Sequence, residues 1–333
     1  MKILVTGGLG FIGSNFIRRM LQVRDDVHIT NFDAITYAGN PDNLTKIEKD
    51  PRYTFVKGNI CDRELVRKIV QNHDIIVNFA AETHVDRSIF DPQIFVKTDI
   101  IGTYTLLEAA RDFGIKKFVQ ISSDEVYGSI NEGKFSEEDM LEPSSPYSSS
   151  KAGADLIALS FSKTFKVPVV ITRTCNNLGP NQHPEKFIPL FITNLLEGKK
   201  VPIYGDGLNI REWIYVDDNC DAIIFLLERG VPGEIYNIGT DEESTNIDIA
   251  KFLVKELGLN DSYIKRVRDR PAHDHRYSVN SQKIRSLGWT HKHDLKSSLK
   301  KTISWYKTNT AWWKKTKSGE YKEYYKKQYG EEK

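Results

Sequence analysis

The sequence contains little cysteine, no long apolar run and almost no excess charge of either sign. Its three cysteines, Cys61, Cys175 and Cys220, are far apart and form no Cys-x-x-Cys pair, which argues against a disulfide framework and against a structural zinc site. Lysine and arginine number 47 against 45 aspartates and glutamates, a net charge of +2, so neither nucleic acid nor an anionic membrane is favoured as a partner. We expect no metal site and a reducing environment.

The missing apolar run also leaves no candidate for a membrane-spanning helix. The first residues, MKILVTGG, begin a strand pattern directly, without the charged and apolar segments of an export signal. Of the 333 residues, 39% are hydrophobic and 28% are charged, which is typical of a globular protein with a large core. We therefore expect a cytoplasmic protein without a membrane partner.

Short apolar runs alternate with helical patterns over the first half of the chain. The runs are rich in β-branched residues, as strands buried on both faces are, and they cover residues 2–6, 27–32, 53–56, 74–81, 116–123 and 167–174. The segments between them have apolar residues at helical spacing. This alternation predicts an α/β fold with a doubly wound parallel sheet of the Rossmann type.

The character of the chain changes after about residue 175, where loops rich in Pro, Gly, Asn and charge begin. We interpret residues 1–175 as a Rossmann domain with return segments near 213–240, and residues 176–333 as a smaller, mostly C-terminal domain that binds the substrate. The tail from residue 305 interleaves aromatic residues with lysines. A surface helix that packs Trp and Tyr on one face is favoured there over a segment that stacks on nucleic acid.

A glycine pattern follows the first predicted strand. Gly7, Gly10 and Gly13 stand between that strand and a helical segment, where glycine allows a tight turn, close approach of a pyrophosphate and helix packing. Asp33 lies 20 positions beyond Gly13, at the end of the second strand. A carboxylate there binds an adenosine ribose and repels a 2′-phosphate. The pattern therefore predicts a dinucleotide site that prefers NAD to NADP.

Two further pairs of residues are candidates for catalysis. Asp124 and Glu125 stand side by side where the strand of residues 116–123 ends, and two like charges that are costly to desolvate are either solvated or kept for proton transfer. Tyr147 and Lys151 are four residues apart at the start of a helical pattern, so their side chains share one face. An ammonium beside a phenol lowers the phenol's pKa, which predicts that Tyr147 acts as a base.

With these motifs the sequence resembles the extended short-chain dehydrogenase/reductase family and, within it, the dTDP-glucose 4,6-dehydratases. The resemblance covers nearly the whole chain. Its most specific blocks are TGGLGFIGSNF, NFAAETHVDRSI, SSDEVYG, SPYSSSKAGAD, CNNLGPNQHPEKFIP, PIYGDGLNIREWIYVDD and DRPAHDHRY. Epimerases of this family typically lack the acidic pair after the serines of the fifth strand, whereas the dehydratases carry Asp-Glu there.

The resemblance implies that the protein is a lyase that removes water from a nucleotide-linked hexose without net oxidation. Tyr147 takes the C4 hydroxyl proton while NAD accepts the C4 hydride, and Lys151 supports the phenol and the nicotinamide ribose. Glu125 then removes the C5 proton, Asp124 protonates the departing C6 hydroxyl, and Ser123 binds the C4 oxygen. One carboxyl must be ionised and the other protonated, and mutual repulsion separates their affinities for protons.

The resemblance also assigns binding residues. With the glycines, Tyr147 and Lys151, the expected NAD contacts are Phe11, Ile12, Asp33, Thr36, Asn59, Ile60, Ala80, Thr98 and Asn177. The expected nucleotide-sugar contacts are Thr83, Asn176, Lys186, Tyr204, Arg211, Asn246, His273 and Tyr277. His84 has no ligand-spaced partner, so we expect a structural or indirect role for it.

The resemblance implies a homodimer through helices near residues 92–113 and 147–165, and it leaves alternatives open for the activity. Asn59, Leu178 and Ala272 depart from the family's blocks near the expected pockets. A UDP-glucose or UDP-N-acetylglucosamine dehydratase is therefore the nearest alternative. A nucleotide-sugar epimerase is disfavoured by the acidic pair, and a non-catalytic dinucleotide-sensing protein is disfavoured because the catalytic residue types are all present.

Overall fold

A computed structural model describes residues 1–271, 273–317 and 320–329. Ala272, residues 318–319 and residues 330–333 of the predicted second domain therefore lie outside the described residues. The strands are β1 Lys2–Thr6, β2 His28–Asp33, β3 Tyr53–Lys57, β4 Ile75–Asn78, β5 Lys117–Ser123, β6 Val169–Thr174, β7 Asn176–Leu178, β8 Val201–Tyr204, β9 Ile210–Tyr215, β10 Ile235–Ile238, β11 Glu243–Thr245 and β12 Ile264–Val267. The helices are α1 Phe11–Val23, α2 Arg63–Val70, α3 Val85–Phe90, α4 Pro92–Phe95, α5 Thr103–Asp112, α6 Pro146–Phe165, α7 Phe187–Leu196, α8 Val216–Arg229, α9 Asn246–Glu256, α10 Gln282–Ser286, α11 Leu295–Thr308, α12 Thr310–Thr316 and α13 Glu320–Tyr329.

Seven parallel strands form the central sheet, in the order β10-β6-β5-β4-β1-β2-β3. The chain runs outward from β1 in one direction through β2 and β3, and in the other through β4, β5 and β6. The order reverses between β1 and β4, the position where open α/β sheets bind ligands beyond the carboxyl ends of their strands. The predicted doubly wound parallel sheet is confirmed.

The inner strands of the sheet are covered on both faces, because apolar residues occupy successive positions in them. Ile3 and Val5 of β1 pack in a core cluster with residues of α1 and α8. Leu4, between them, packs on the opposite face with residues of α2, α5 and α6. All three residues are 0% exposed, and each such burial stabilises the fold by about 1.5–3 kcal/mol. This accounts for the continuous apolar runs.

A second layer follows β6. It contains a three-stranded sheet, β11-β9-β7, and a two-stranded sheet, β12-β8. Helices α7, α9 and α11 surround a separate core that includes Phe191, Trp213 and Tyr306. β10 pairs with β6 in the large sheet, so the chain returns to that sheet after β9. The domain boundary at residue 175 stays a prediction.

The aromatic tail packs on this second core. Trp313 of α12 is 1% exposed, and Tyr321 and Tyr324 of α13 are 5% and 7% exposed. These rings are used in packing, as expected of an amphipathic helix. Over the described parts of the chain, we find no helix whose length and apolar content would let it cross a membrane.

Candidate active site

A cavity of about 410 Å³ lies beyond the carboxyl ends of the central strands, between the large sheet and the second layer. Every residue that the sequence assigned to the cofactor, to the chemistry or to the substrate lines it. From the large-sheet side these are Gly7, Gly10, Phe11, Ile12, Gly13, Asp33, Thr36, Asn59, Ile60, Ala80, Thr83, Thr98, Ser123, Asp124, Glu125, Tyr147 and Lys151. From the second layer and its connections they are Asn176, Asn177, Lys186, Tyr204, Arg211, Asn246, His273 and Tyr277.

The glycines form a cradle at one end of this cavity. Gly7 has φ +66°, and a Cβ added to it would lie 2.6 Å from the backbone nitrogen of Ala80. A Cβ on Gly13 would lie 2.5 Å from the carbonyl oxygen of Gly7. Gly10 caps α1 without any side-chain hydrogen bond, so the first N–H groups of a 13-residue helix are available to an anion. The cradle fits a pyrophosphate.

Asp33 ends β2 at the same end of the cavity. Its Oδ2 accepts a hydrogen bond from Leu9 N at 2.9 Å, and its Oδ1 accepts one from Ile35 N at 2.8 Å. Burial raises the pKa of this carboxyl, while the two backbone donors lower it. Each oxygen keeps acceptor capacity for a ribose hydroxyl, and a 2′-phosphate here would meet a negative charge. The site therefore fits a dinucleotide of the NAD type.

Tyr147 and Lys151 lie on the first turns of α6, whose start is fixed by a capping box between Ser145 and Ser148. Lys151 is 5% exposed, and its Nζ donates to the carbonyl oxygen of Ile121 at 2.6 Å. Burial raises the pKa of Tyr147 well above its usual value. The predicted lowering of this pKa by Lys151 is therefore wrong for the protein chain alone, because the cost of desolvating the phenolate dominates.

Nearby carboxyl groups shift the pKa of Tyr147 in the same direction as burial. Glu125 and Asp99 raise its pKa, and the hydroxyl of Ser123 opposes them. A positive charge next to the phenol has the opposite effect on its pKa. A cation bound beside Tyr147 would therefore oppose the rise in its pKa.

The acidic pair lies in a buried turn between the two ends of the cavity. β5 ends at Ser123, and residues Asp124–Tyr127 form a 3₁₀ turn. The Ser123 hydroxyl accepts from Glu125 N and donates to Asp124 Oδ1, both at 3.2 Å. Asp124 is 2% exposed, and its Oδ2 is buried without a hydrogen-bond partner. The pair is therefore not a solvated loop.

The two carboxyl groups differ in their surroundings. Burial, followed by the negative charges of Glu125 and Glu212, raises the pKa of Asp124 well above its usual value. Burial also raises the pKa of Glu125. Three cations oppose that rise, namely Arg270, Arg211 and Lys186. The surroundings therefore favour the protonated form of Asp124 more strongly than that of Glu125.

Cations concentrate at the other end of the cavity. Arg211 is 6% exposed, and its guanidinium donates to the carbonyl oxygens of Ile210, Asp274 and His275. It also lies 4.1 Å from the centre of the Tyr277 ring. The Lys186 ammonium donates to the carbonyl oxygen of Thr83. A diphosphate would complement these charges.

Sequence reasoning missed several residues that line the cavity. Arg270 was within a quoted block, DRPAHDHRY, from which only His273 and Tyr277 were taken. In the structure Arg270 Nη1 lies 2.9 Å from Asp86 Oδ1. Glu82 and Glu185 also line the cavity, and they lie in the quoted blocks NFAAETHVDRSI and CNNLGPNQHPEKFIP, from which other residues were taken. Tyr329 lines the cavity too, and it lies in no quoted block.

His84 lines the cavity as well, and the structural or indirect role expected of it stays a prediction. It is 7% exposed, and its Nε2 lies 3.4 Å from the carbonyl oxygen of Glu185. Burial lowers the pKa of its imidazole to about 4, so the ring is neutral near pH 7. Within the described residues, no group of three or more His, Cys, Asp or Glu side chains could hold a metal ion.

Three comparisons with known proteins agree with this geometry. The family profile described as GDP-mannose 4,6 dehydratase matches residues 4–302. The dTDP-glucose 4,6-dehydratase of Streptomyces niveus is 47% identical over 96% of this chain and 96% of its own, and the low-salt glycan biosynthesis protein Agl12 of Haloferax volcanii is 50% identical over 92% and 98%. A crystal structure of DesIV, a dTDP-glucose 4,6-dehydratase from Streptomyces venezuelae with NAD and TYD bound, superposes with a TM-score of 0.93 and 47% identity over 95% of this chain and 100% of that one.

The profile match over residues 4–302 extends across both layers of the fold and spans the positions of the acidic pair, the Tyr-Lys pair and the glycine cradle. The chain therefore belongs to the GDP-mannose 4,6-dehydratase family and, within it, to the dTDP-glucose 4,6-dehydratases.

Proposed function

We propose that this protein is a lyase that converts dTDP-glucose to dTDP-4-keto-6-deoxyglucose with NAD as its cofactor. The observation that supports this assignment most strongly is the buried pair Asp124 and Glu125, whose carboxyl groups have different electrostatic surroundings. The cavity that contains this pair also contains the glycine cradle. The named activity of the relatives and the NAD and TYD in the DesIV crystal structure support the same assignment.

NAD would lie on the glycine cradle, with Asp33 at its adenosine ribose. Phe11, Ile12, Thr36, Asn59, Ile60, Ala80, Thr98 and Asn177 line the rest of this end. When bound, NAD supplies an acceptor for the C4 hydrogen, returns it to C6 and brings a positive charge to the cavity. The residues fit this group because the close backbone packing at Gly7 and Gly13 leaves no room for a side chain, and such a glycine turn lets the first N–H groups of α1 approach a pyrophosphate.

Tyr147 begins the reaction by taking the proton of the C4 hydroxyl. Its high pKa in the chain alone makes the phenolate a strong base once an adjacent positive charge stabilises it. Lys151 lies one helical turn from Tyr147, where its ammonium supports the phenolate. The Ser123 hydroxyl stabilises the C4 oxygen as it becomes a carbonyl.

Elimination uses the acidic pair. The new C4 ketone acidifies C5, so Glu125 removes the C5 proton while Asp124 gives its proton to the departing C6 hydroxyl, which leaves as water. Glu125 then returns its proton to C5 as C6 regains the hydrogen. Asp124 has lost one proton and Tyr147 has gained one, so transfer between them completes the cycle, with water as the net loss.

The nucleotide half of the substrate belongs to the cationic end of the cavity. Arg211, Arg270 and Lys186 would bind the diphosphate, since guanidinium and ammonium groups pair well with phosphate oxygens. The uncharged groups around them would contact the sugar and the nucleoside. These are Thr83, Asn176, Tyr204, Asn246, His273 and Tyr277.

We also propose a homodimer, a cytoplasmic location and the predicted division into two domains near residue 175. Apolar side chains on neighbouring helical segments are exposed, with Val96 and Ile101 at 49% and Leu156 at 58%. Such a patch fits a symmetric interface between copies. The three cysteines are free thiols, which favours a reducing compartment.

A panel of nucleotide sugars tests the activity. Purified protein is incubated with dTDP-glucose, UDP-glucose or UDP-N-acetylglucosamine, and each product is analysed by mass spectrometry. We expect dTDP-glucose to lose one water most rapidly. Faster turnover of either UDP-sugar would contradict the dTDP assignment, and a product of unchanged mass with inverted C4 would identify an epimerase.

A further inference from the structure

Residues 34–43 form a loop that follows β2 at the end of the cavity proposed for NAD. Ile35 in this loop has φ +55°, a conformation that is costly for a β-branched residue. A Cβ added to Gly39 would lie 2.9 Å from Asp33 Oδ1. The loop is therefore packed closely against the carboxylate proposed to bind the adenosine ribose, and other contacts must stabilise its strained backbone. The loop residues that line the cavity are Ala34, Thr36, Ala38 and Gly39.

Asn43 joins the end of this loop to the glycine cradle. It is 6% exposed, and its side-chain amide donates to the carbonyl oxygen of Leu9 at 2.8 Å. The backbone N–H of Asn40 donates to the same oxygen at 3.0 Å. On its other side, the N–H of Leu9 donates to Asp33 Oδ2 at 2.9 Å. The loop and the ribose carboxylate are thus both bonded to the turn that is proposed to bind the pyrophosphate.

Helix α12 reaches Asn43 from the second layer. Trp312 Nε1 donates to Asn43 Oδ1 at 2.9 Å, and Asn181 Nδ2 donates to the same oxygen at 3.1 Å. An indole N–H can only donate, so this bond fixes which end of the Asn43 amide faces Leu9. The Trp312 ring also meets the ring of Trp305 in α11 edge-on, with centroids 5.1 Å apart. Helix α12 thereby connects the second core to the loop.

The contact between Trp312 and Asn43 lies outside the cavity. Neither residue is among the described residues that line it, and Trp312 lies beyond residue 302, where the match to the family profile ends. A second contact between α12 and the loop joins Lys315 Nζ to Asp42 Oδ2 at 2.5 Å, but these side chains are 69% and 35% exposed. Such an exposed ion pair contributes little. The buried Asn43 amide is therefore the main attachment of the loop to α12.

We propose that Trp312 and Asn43 are positioning residues that keep the 34–43 loop closed on the adenosine end of NAD and so slow the release of the cofactor. This role goes beyond the proposed function and rests only on its use of NAD. The hydrogen taken from C4 returns to C6 in the same turnover, so a cofactor lost between the two steps would leave the sugar unfinished. A C-terminal helix that slows release protects the cycle at that point.

Trp312→Phe in the full-length protein is the main test, because it removes the indole N–H and keeps an aromatic ring. The protein is loaded with isotopically labelled NAD and chased with excess unlabelled NAD, and the retained label is counted over time. We expect the release rate to rise about three- to tenfold, the effect of losing one buried hydrogen bond. The Kd of dTDP, measured by calorimetry, should not change.

Trp313→Phe is the matched control. Trp313 is the next residue of the same helix, and its Nε1 donates to the carbonyl oxygen of Tyr306 at 2.9 Å, away from the loop. This variant also loses one indole hydrogen bond of the same length, so it should lower the melting temperature. Its NAD release rate should equal that of the wild type.

Asn43→Ala tests whether Trp312 acts through Asn43. It also removes the bonds to Leu9 and Asn181, so it should release NAD faster than Trp312→Phe does. Adding Trp312→Phe to Asn43→Ala should cause no further rise, because the contact is already lost and the two effects are not additive.

The positioning role is excluded if Trp312→Phe releases NAD at the wild-type rate, or if Trp313→Phe accelerates release equally, since the tail would then act through packing alone. A full additional rise in the double variant would show that Trp312 does not act through Asn43. Wild-type protein that binds NAD but dehydrates no dTDP-glucose would contradict the proposed function, while the release rates would still decide the role of Trp312.

Discussion

The two ends of the cavity are built in different ways. The proposed cofactor end is built around backbone turns and strand ends between Gly7 and Asp33, and residues from Thr36 to Asn177 line the rest of it. The proposed substrate end collects side chains from Thr83 to Tyr329. Close backbone packing shapes the first end, and paired charges such as Asp86 and Arg270 shape the second. Substitutions at the two ends should therefore separate cofactor binding from substrate binding.

Tyr147→Phe should have the largest effect, because the phenol acts where the two ends meet. Loss of the proton acceptor should slow reduction of bound NAD by roughly 100-fold or more. Single-turnover absorbance of the nicotinamide measures this rate directly. Affinities for NAD and dTDP should not change, and a wild-type rate of NAD reduction would exclude Tyr147 as the base.

Gly7→Ala should damage the cofactor end alone. The added Cβ would lie 2.6 Å from Ala80 N at a backbone φ of +66°, and strain of this kind costs about 1–3 kcal/mol. We expect NAD to bind roughly 10- to 100-fold more weakly, while calorimetry shows unchanged dTDP binding. Equal losses of NAD and dTDP affinity would mean that the two ends are not independent.

Arg211→Lys should weaken substrate binding and leave cofactor binding unchanged. Lysine keeps the charge but not the planar fork that bonds several oxygens. The KM of dTDP-glucose should rise about tenfold, with bound NAD measured after denaturing extraction at the wild-type level. If instead NAD is lost and KM is unchanged, Arg211 does not belong to the substrate end.

Asp99→Asn should have the smallest effect, a change in how the free energy of unfolding depends on pH. Asp99 is 1% exposed and accepts from Glu82 N at 2.8 Å and the Ser150 hydroxyl at 2.6 Å, and burial raises its pKa to about 6. A raised folded-state pKa stabilises the fold at low pH, and this contribution is lost as pH rises through about 6. The free energy of unfolding of the wild type, measured with denaturant, should therefore fall by on the order of 1 kcal/mol more than that of the variant between about pH 5 and pH 8.

Asp86 provides a control for that measurement, because its pKa is shifted in the opposite direction to that of Asp99. Burial raises the pKa of Asp86, but the charge and hydrogen bond of Arg270 and the hydrogen bond of Tyr204 contribute to a net lowering of that pKa. The contribution of Asp86 to stability is therefore present at neutral pH and lost only in acid. Asp86→Asn should therefore leave the change between about pH 5 and pH 8 as in the wild type. Equal behaviour of the two variants would contradict the pKa directions.

The fold and the cofactor end were predictable because their signals are local. β-branched runs identified the parallel strands, and Gly7, Gly10 and Gly13 follow the first of them directly. The carboxyl ends of neighbouring strands then bring Ser123 and Asp33 to one edge of the sheet. Neither the alternation nor the glycine spacing depends on distant parts of the chain.

The substrate end depended on resemblance and was predicted incompletely. Arg270 lies within the quoted block DRPAHDHRY, but its pairing with the distant Asp86 carboxylate is visible only in the structure. Tyr329 lies in no quoted block, and only the packing of α13 brings it to the pocket. The direction of the shift in the Tyr147 pKa was also predicted wrongly. Spacing shows that Lys151 shares a helix face with Tyr147, but it does not show how far burial desolvates the phenol. Burial and long-range charge are properties of the folded chain.

The central claim is that Asp124 and Glu125 have opposite proton-transfer roles. Incorporation of solvent deuterium at C5, measured by mass spectrometry or NMR in Glu125→Gln and Asp124→Asn, tests it most directly. We predict that Glu125→Gln oxidises C4 but loses C5 exchange, whereas Asp124→Asn keeps C5 exchange and loses water about 100-fold more slowly. C5 exchange that persists in Glu125→Gln and disappears in Asp124→Asn would reverse the roles, and normal dehydration by both variants would contradict the account.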